Sequence, residues 1–297
     1  MKREFIIAAI FFTVLAVIIF WKALLHNLIP FPGDYLLAWY EPWKTDHFVN
    51  NVITIAHKAV ADDIFRHLYP LRLLTVEIMK NHQWPLWNPY NGAGMPLLAI
   101  MHPGYFNPFG FVFFFIKPES AWLIFLALQP IVLGFFTYLY CRKINLTPLS
   151  ALFSSASLLF SGFVIVRLEF GEFLYVLAGL PLLLLIIETQ ISNRLSCSMW
   201  LTPLVILFLF LSGQPHMILY VIIFAWLYAV YRFIQTESNI IIASGNLLIF
   251  SSACILGIGL AAFQLIPSFE LYQLSTINQA SSQFIFKRFL VPMSHLF

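Results

Sequence analysis

Apolar runs long enough to cross a lipid bilayer recur along this chain from Phe5 to Pro267. A membrane-spanning helix needs about 20 consecutive apolar residues, and a soluble domain does not carry such runs repeatedly. Hydrophobic residues make up 61% of the 297 residues and charged residues only 10%, whereas about 25% of a soluble domain is charged. The sequence therefore predicts an all-α polytopic membrane protein. It excludes a cytoplasmic enzyme, a nucleic-acid-binding protein and a disordered scaffold.

About seven transmembrane helices are predicted. The first, in residues 1–26, is an anchor rather than a removable signal, because its apolar stretch is about 20 residues long and no small-residue cleavage pattern follows it. Six further spans are predicted within residues 119–267: Ser120 to Cys141, Pro148 to Val166, Phe173 to Ile187, Ser198 to Gly213, His216 to Arg232 and Ile241 to Ile266. Residues 268–297 form an extracytoplasmic tail, and the sequence stops at Leu290–Phe297 with no closing polar tail, so we expect an N-terminal fragment of a longer protein.

The basic residues of the short connections predict the orientation. Basic residues collect in cytoplasmic loops, and a cytoplasmic N-terminus places all of the following on the cytoplasmic side: Lys2, Arg3, Arg142, Lys143, Arg194 and Arg232. Residues 27–118 then form a long extracytoplasmic loop, residues 167–172 a very short one, and the tail after Pro267 lies on the same side.

The long first loop is too apolar to be a free tether. Apolar and charged residues alternate at helical spacing between residues 46 and 81, which predicts helices lying along the membrane surface. Residues 84–96 carry three prolines and two glycines beside Trp84, Trp87 and Tyr90, which predicts an ordered turn region at headgroup depth. Residues 105–116 are apolar but too short to span, so we expect a re-entrant or interfacial piece.

Two carboxylates of the first loop are candidates for acid-base chemistry. Asp34 follows Pro32 and Gly33 directly after the first span, and it is a general base at the membrane boundary, a cation ligand, or a turn or helix-capping residue. Asp63 is the second candidate: it is paired structurally with Arg66 or His67, has a substrate or catalytic role, or binds a metal together with His67. Its neighbour Asp62 has Arg66 at the spacing of an ordinary surface ion pair, so at most one of the two adjacent carboxylates faces a site. His47, His57 and His67 recur every ten residues, a spacing that does not place them on one helix face.

Polar groups of the later connections are predicted to converge with these carboxylates. Arg167, Glu169 and Glu172 lie between two apolar spans, where charged residues are expensive unless they reach water or each other. Gln214 and His216 lie at a junction between spans, and Gln264 lies near the outer end of the last span. Each of these residues also has a plain structural interpretation as a packing or capping residue. The three cysteines show neither a disulfide framework nor a zinc-binding spacing.

Four motifs resemble one family. They are Gly33-Asp34; Asp63 with Tyr69-Pro70 followed by the run Trp84-Pro85-Leu86-Trp87-Asn88-Pro89-Tyr90-Asn91-Gly92-Ala93-Gly94-Met95-Pro96-Leu97; Ser212-Gly213-Gln214-Pro215-His216; and Gln264-Leu265-Ile266-Pro267. In this order they look like the bacterial YfhO-type membrane proteins of the GT-C superfamily of polytopic glycosyltransferases. The resemblance implies a GT-C-like membrane core in the bacterial inner membrane.

The resemblance also implies a function. A sugar would move from a polyprenyl-phosphate donor to a cell-envelope acceptor at the extracytoplasmic face, with Asp34, Asp63, Glu169 and Glu172 as catalytic candidates. Candidate substrate-binding residues are Arg72, Arg167, Trp87, Asn88, Gln214, His216 and Gln264, with Arg72 or Arg167 on the leaving phosphate. No Asp-x-Asp motif is present, so a divalent cation is possible but not required. The rival hypotheses are a lipid or glycan transporter and a non-catalytic assembly protein.

Overall fold

The computed structural model describes residues 2–26, 28–42, 44, 62–192 and 197–275, and these residues are mostly helical. Four helices are long and apolar enough to cross a membrane: α5 (Pro118–Lys143), α8 (Phe173–Ser192), α10 (Pro215–Thr236) and α11 (Ile240–Leu260). The pair α6 (Pro148–Leu159) and α7 (Gly162–Arg167) is bent by 52° and counts as a fifth span if it is taken as one. The prediction of an all-α membrane protein is confirmed at this level.

Three of the predicted spans are interrupted or shorter than predicted. The first predicted span is divided into α1 (Lys2–Ile19) and α2 (Trp21–His26). The span predicted from Ser198 forms a 3₁₀ turn and then the short helix α9 (Thr202–Leu211). The last predicted span is interrupted at Ala261, after which α12 (Ala262–Leu274) begins. By length and apolarity, four or five of the seven predicted spans qualify.

The first loop contains several short elements. Its described part forms α3 (Asp34–Trp39), a π turn (Ile64–Leu68) that continues as α4 (Tyr69–Lys80), and a 3₁₀ helix (Pro108–Phe114). Asn107 caps the 3₁₀ helix, because its side chain accepts a hydrogen bond from the Phe109 amide. The surface helices predicted for residues 46–81 are represented by α4 and the π turn. Residues 45–61, including His47 and His57, lie outside the described residues.

The chain divides into two compact units. The first unit comprises Met1–Trp84 and Met101–Ala261, and in it α5 packs against α1, α6 and α8, while α9 and α10 pack against α8 and α11. Its core is built from fully buried aromatic side chains such as Phe12, Trp122 and Phe125. Large apolar side chains on the lipid-facing surfaces of α10 and α11 stay exposed, as expected of helices that lie in lipid.

Hydrogen bonds between charged and phenolic side chains join the helix ends at one end of the first unit. Tyr138 and Arg142, near the end of α5, both donate to the Glu4 carboxylate at the start of α1. Near the ends of α8 and α10, Arg232 and Tyr228 donate to Glu188. The start of α1 therefore lies at the same end of the bundle as the ends of α5, α8 and α10.

The second unit comprises Pro85–Ile100 and Ala262–Phe297, of which residues 85–100 and 262–275 are described. The Pro/Gly/Trp-rich turn region forms a hairpin in which β1 (Trp87–Asn88) pairs antiparallel with β2 (Met95–Pro96). Gly94 has a positive φ of 99° and lies under the Trp87 indole, where a Cβ would overlap the ring. Glycine is therefore required at the closing residue of this hairpin.

Candidate functional site

A buried carboxylate, Glu172, lies at the start of α8. The preceding Gly171 has a left-handed φ of 81° and ends a 3₁₀ turn at Leu168–Phe170. A Cβ on Gly171 would come within 3.1–3.4 Å of the Phe125 and Trp122 rings. This tight turn directs the next side chain inward, and Glu172 is only 1% exposed.

Two donors from other elements hold one oxygen of Glu172. The Gln214 amide donates to Glu172 Oε1, and His102 Nε2 lies 2.7 Å from the same oxygen. The second oxygen, Oε2, is buried and has no hydrogen-bond partner among the described residues. Because buried carboxylates normally use both oxygens as acceptors, Glu172 retains unused acceptor capacity inside the protein.

The junction between α9 and α10 has a special backbone that brings Gln214 to Glu172. Gly213 has a φ of 87° and Gln214, a residue with a side chain, has a φ of 60°, a conformation that costs about 1 kcal/mol or more outside glycine. A Cβ on Gly213 would lie 2.8 Å from the Gly104 amide nitrogen and 3.0 Å from Glu172 Oε2. The backbone of this junction thus packs directly on the carboxylate.

The loop that carries His102 is fixed to the same junction. Gly104, with a φ of 67°, lies so close to the Ser212 carbonyl that a Cβ would overlap it. Asn107 Nδ2 donates to Ser212 Oγ over 3.1 Å, and Ser212 Oγ donates to the Phe208 carbonyl. These backbone and side-chain contacts fix the position of His102 relative to Glu172.

Arg72 of α4 binds the backbone of the loop that carries His102. Its Nη2 donates to the carbonyls of Pro103 and Gly104 over 2.5 and 3.2 Å, and its guanidinium lies 4.3 Å from the Phe125 ring centroid. Arg72 is 3% exposed. Burial lowers its pKa to about 10, against the opposing charge of Glu172, so Arg72 is cationic at neutral pH. Sequence analysis suggested Arg72 for the leaving phosphate; the structure buries it and engages it with backbone carbonyls.

His102 connects the buried carboxylate with the surface. Its side chain is 37% exposed, in contrast to Glu172. Burial opposes protonation of His102, but the hydrogen bond and the charge of Glu172 outweigh it, and the pKa of His102 is raised. Asp63 adds to this rise through its charge. The imidazolium of His102 therefore lies within the electrostatic reach of two carboxylates, one from the first loop and one from the second.

The two adjacent aspartates of the first loop, Asp62 and Asp63, have different surroundings. Asp62 forms an ion pair with Arg66 over 3.0 Å. Asp63 is exposed and makes no ion pair or hydrogen bond with the residues that the structure describes. The charge of Asp63 contributes to the raised pKa of His102, although no hydrogen bond or ion pair joins these two side chains.

Asp34 and Glu169 lie elsewhere in the first unit. Asp34 begins α3, and its charge acts with that of Asp62 on the Tyr35 hydroxyl, whose pKa is raised chiefly by burial. Glu169 lines a separate cleft together with Lys22. Of the four catalytic candidates, Glu172 pairs with His102 and Asp63 contributes through its charge to the raised pKa of His102.

Arg167 and His216 both contact the ring of Phe173, the residue after Glu172. The Arg167 guanidinium lies 4.6 Å from the Phe173 ring centroid, and the exposed His216 ring lies 6.2 Å from it, edge to face. Both are on the surface side of the site. The Arg167 and His216 side chains are therefore the predicted phosphate or substrate contacts that stay accessible beside the cluster.

The last three candidates belong to the second unit. Asn88 is buried, and its Oδ1 accepts a hydrogen bond from the Tyr90 amide over 2.9 Å. Trp87 is half exposed, and Gln264 is buried with neither amide atom hydrogen-bonded to a described residue. Their substrate-binding role stays a prediction.

Several residues of the cluster were not found by sequence reasoning. His102, Tyr105, Asn107 and Ser212 all contribute, and burial raises the pKa of the Tyr105 hydroxyl, which has no hydrogen-bond partner among the described residues. One signal was available, because His102 precedes Pro103 and Gly104, a combination typical of a tight turn that presents a side chain. Its partner across the fold could not be read from one sequence.

Among the described residues, no group of three or more His, Cys, Asp or Glu side chains is arranged to hold a metal ion. Comparisons of the chain with family models, curated proteins and solved structures found no match. The likeness to YfhO-type proteins therefore rests on the four motifs.

Proposed function

We propose that this chain is a membrane glycosyltransferase that moves a sugar from a polyprenyl-phosphate donor to a cell-envelope acceptor. One observation carries the proposal: the buried Glu172 of the second loop pairs with His102 over 2.7 Å, and the charge of Asp63 of the first loop also raises the pKa of His102. A histidine paired with a buried carboxylate and influenced by a second, exposed one is suited to acid-base and phosphate chemistry.

In the proposed topology all seven apolar segments cross the bacterial inner membrane, the N-terminus is cytoplasmic, and the His102 cluster faces the extracytoplasmic side. The bundle end that carries Glu4 and Glu188 also carries Arg142 and Arg232. Basic residues favour the cytoplasmic side, which supports this orientation. The Glu172–Gln214 hydrogen bond joins the starts of α8 and α10. The chain therefore returns, between the end of α8 and the start of α10, to the side on which α8 begins, and in this topology α9 is the crossing that returns it.

Asp63 is the general base in the proposed reaction. It accepts the proton of an acceptor hydroxyl while the hydroxyl oxygen attacks the anomeric carbon of the donor sugar. The bond between that carbon and the phosphate oxygen breaks, and its electron pair leaves with the polyprenyl phosphate. The sugar is transferred with inversion, because the attacking and leaving oxygens lie on opposite faces of the ring.

His102, together with Arg167 and His216 around Phe173, binds the leaving phosphate. Glu172 holds the His102 ring by its Nε2 and favours the imidazolium, which offers a positive charge and the Nδ1 proton to the phosphate. Arg167 and His216 add donors at the surface. Arg72 does not contact substrate in this proposal; it positions the His102 loop through the Pro103 and Gly104 carbonyls.

A groove beside the cluster fits the lipid tail of the donor. It has a volume of about 320 Å³, and only apolar residues line it, among them Phe109, Phe136, Leu182, Ile186, Leu204 and Phe208. Phe109 stacks on Tyr175, three residues after Glu172. Each buried methylene contributes about 0.8 kcal/mol, so the tail supplies affinity while the polar cluster handles the head group.

The test uses proteoliposomes that contain the purified chain, undecaprenyl-phosphate-linked radiolabelled hexose and cell-envelope acceptor lipids. Asp63→Asn is expected to lower the transfer rate at least about 100-fold, as loss of a general base does. Glu172→Gln is expected to lower it at least about tenfold, because the His102 charge is lost. The matched control is Asp62→Asn, which removes the adjacent carboxylate and is expected to keep the wild-type rate.

The same vesicles separate the rival classes. Equal rates for Asp63→Asn, Glu172→Gln and wild type would overturn the proposed mechanism. Donor that crosses the bilayer unchanged would identify a transporter. A chain that neither consumes nor moves the donor, but whose deletion removes a protein complex from the membrane, would be an assembly protein.

A further inference from the structure

The β1–β2 hairpin of the second unit fixes the orientation of an aromatic side chain, Trp87. Along β1 the exposed Trp87 alternates with the buried Asn88, so the indole lies on the outer side of the hairpin. A Cβ added at Gly94 would lie 2.5 Å from Nε1 and from Cζ2 of the indole. The ring therefore packs directly on the Gly94 backbone, while Trp87 remains 52% exposed.

The turn of the hairpin adds two exposed polar side chains, Tyr90 and Asn91. The Tyr90 amide donates to Asn88 Oδ1 over 2.9 Å, which fixes the backbone at the start of the turn. Tyr90 is 82% exposed, and its hydroxyl makes no hydrogen bond with a described residue. Asn91 Nδ2 donates to Met95 Sδ over 2.9 Å, which orients the amide and leaves its Oδ1 as an acceptor. One short segment thus presents an indole, a phenol and an amide oxygen.

The hairpin surface carries no charge. Between Trp84 and Met101 the chain contains no Asp, Glu, Lys, Arg or His. Phospholipid headgroups and charged peptides are recognised mainly through basic and acidic side chains, which this segment does not offer. A neutral saccharide matches the groups that are present, because the C–H groups of one pyranose face pack on an aromatic ring and its hydroxyls form hydrogen bonds with amides and phenols.

We propose that the hairpin binds a neutral saccharide, with one pyranose ring stacked on the Trp87 indole and its hydroxyls hydrogen-bonded to Tyr90 Oη and Asn91 Oδ1. Because Gly94 holds the indole in place before binding, the stacking costs little side-chain entropy. The saccharide is the acceptor, or the sugar part of it, an assignment that rests on the proposed sugar transfer. It narrows the cell-envelope acceptor to a glycan or a glycolipid and excludes an unglycosylated protein.

The experiment measures saccharide binding without any donor lipid, by saturation-transfer difference NMR on the full chain in lipid nanodiscs. The probes are neutral tetrasaccharides of glucose, galactose, mannose or N-acetylglucosamine. Wild type is expected to bind at least one of them, with the saturation strongest at the C–H protons of one ring face. Trp87→Ala is expected to weaken binding at least about tenfold, the size of one stacking contact, and Trp87→Phe to recover part of the loss.

Matched controls separate the indole contact from general damage. Gly94→Ala is expected to lose binding as Trp87→Ala does, because the added Cβ displaces the indole. Gly92 also has a positive φ, of 60°, but no atom lies within 4 Å of its added Cβ, so Gly92→Ala is expected to keep binding. Trp200→Ala removes another exposed indole, from the first unit, and is expected to bind as wild type.

Binding of none of the four tetrasaccharides by wild type, or equal affinity of wild type and Trp87→Ala, would overturn the proposal. A spin label on Tyr90→Cys, in a chain whose native cysteines are replaced by serine, is expected to be accessible to a water-soluble nickel reagent. A label accessible only to oxygen dissolved in lipid would make the hairpin a membrane anchor and would also overturn the proposal. Because no donor is present, these outcomes do not depend on whether sugar transfer occurs, and the Asp63 and Glu172 variants test transfer separately.

Discussion

The two oxygens of Glu172 have different environments. Oε1 accepts from Gln214 and His102, while Oε2 is buried beside Gly213 without a donor among the described residues. Unsatisfied buried polar atoms cost about 1–3 kcal/mol each, and Tyr105 Oη and Arg72 Nε in the same cluster are also without partners there. Such a concentration of unmet hydrogen bonds is typical of a functional site rather than of a structural core.

Replacing the buried carboxylate should destabilise the protein. In Glu172→Ala the Gln214 amide and the His102 ring lose their shared acceptor, and we expect the free energy of unfolding to fall by about 2–3 kcal/mol. Unfolding of the detergent-solubilised protein by increasing sodium dodecyl sulfate measures this change. The control is Glu77→Ala, an exposed carboxylate whose removal should alter stability by about 0.5 kcal/mol or less. Equal losses in both variants would show that Glu172 does not hold the cluster together.

The raised pKa of His102 predicts a pH-dependent stability. A folded-state pKa above the ordinary value of 6.5 means that the folded protein binds this proton more tightly than the unfolded chain. The stabilisation is complete below about pH 6.5 and is lost as the pH rises through the raised pKa. We expect wild type to exceed His102→Gln in stability by more at about pH 6 than at about pH 9. A difference that stays constant with pH would contradict the His102–Glu172 ion pair.

At the scale of elements, three connections meet without regular structure. The His102 loop and the α9–α10 junction contact each other through the backbone of Gly104 and Gly213, while Gly171, in the turn before α8, packs against the Phe125 and Trp122 rings; all three glycines have positive φ. A side chain at any of them would strain the backbone, and at Gly104 or Gly213 it would also separate the two connections. The glycines thus set the distance at which Gln214 and His102 reach the carboxylate.

Substituting Gly104 or Gly213 should lower the free energy of unfolding more than substituting a glycine inside a helix does. Gly104→Ala and Gly213→Ala combine unfavourable φ with backbone overlap, and we expect each to lower the free energy of unfolding by about 2–4 kcal/mol. The matched control is Gly259→Ala in α11, where no atom lies within 4 Å of the added Cβ and alanine favours the helix. Detergent unfolding measures all three. Similar stability of Gly104→Ala and Gly259→Ala would contradict the tight contact with Ser212.

Much of the helix layout could be predicted from apolar length alone, because α5, α8, α10 and α11 coincide with uninterrupted apolar runs. The breaks could not be predicted: the bend between α6 and α7 lies at Phe160 and Ser161 in a run without proline or charge. Asp63 and Glu172 were selected by position in the loops. His102 was missed because its significance depends on a contact between residues 70 positions apart, which no local pattern encodes.

At the scale of the whole molecule, the hydrogen bonds at the two ends of the first unit limit how the chain can thread the membrane. The starts of α8 and α10 meet through Glu172 and Gln214, and their later parts meet through Glu188 and Arg232. The two helices are therefore parallel, and the short α9 between them has to cover the return. Ten helical residues extend only about 15 Å, so the preceding 3₁₀ turn and the local bilayer contribute the rest.

Cysteine accessibility tests this threading. After replacement of the three native cysteines by serine, single cysteines are introduced at Gln83, in the first loop, at Leu149, at the start of α6, and at Ser238, between α10 and α11; all three positions are exposed. With seven crossings and a cytoplasmic N-terminus, an impermeant maleimide added to intact cells labels Gln83→Cys alone. Opening the cells exposes the cytoplasmic side, and Leu149→Cys and Ser238→Cys then react as well.

Three of the seven crossings depend on short segments: α1 with α2, α6 with α7, and α9. If one of them does not cross, Ser238 lies on the opposite side of the membrane. If two of them do not cross, the side of Ser238 is unchanged. Leu149 resolves the ambiguity for every double loss that includes the first segment, since only the first segment and α5 precede it. Labelling of Leu149→Cys in intact cells would place the α5–α6 connection outside, and with it Arg142 and Lys143, against the tendency of basic residues to stay in the cytoplasm. That result would move the His102 cluster to the cytoplasmic face, where a donor sugar presented at the outer surface could not reach Asp63.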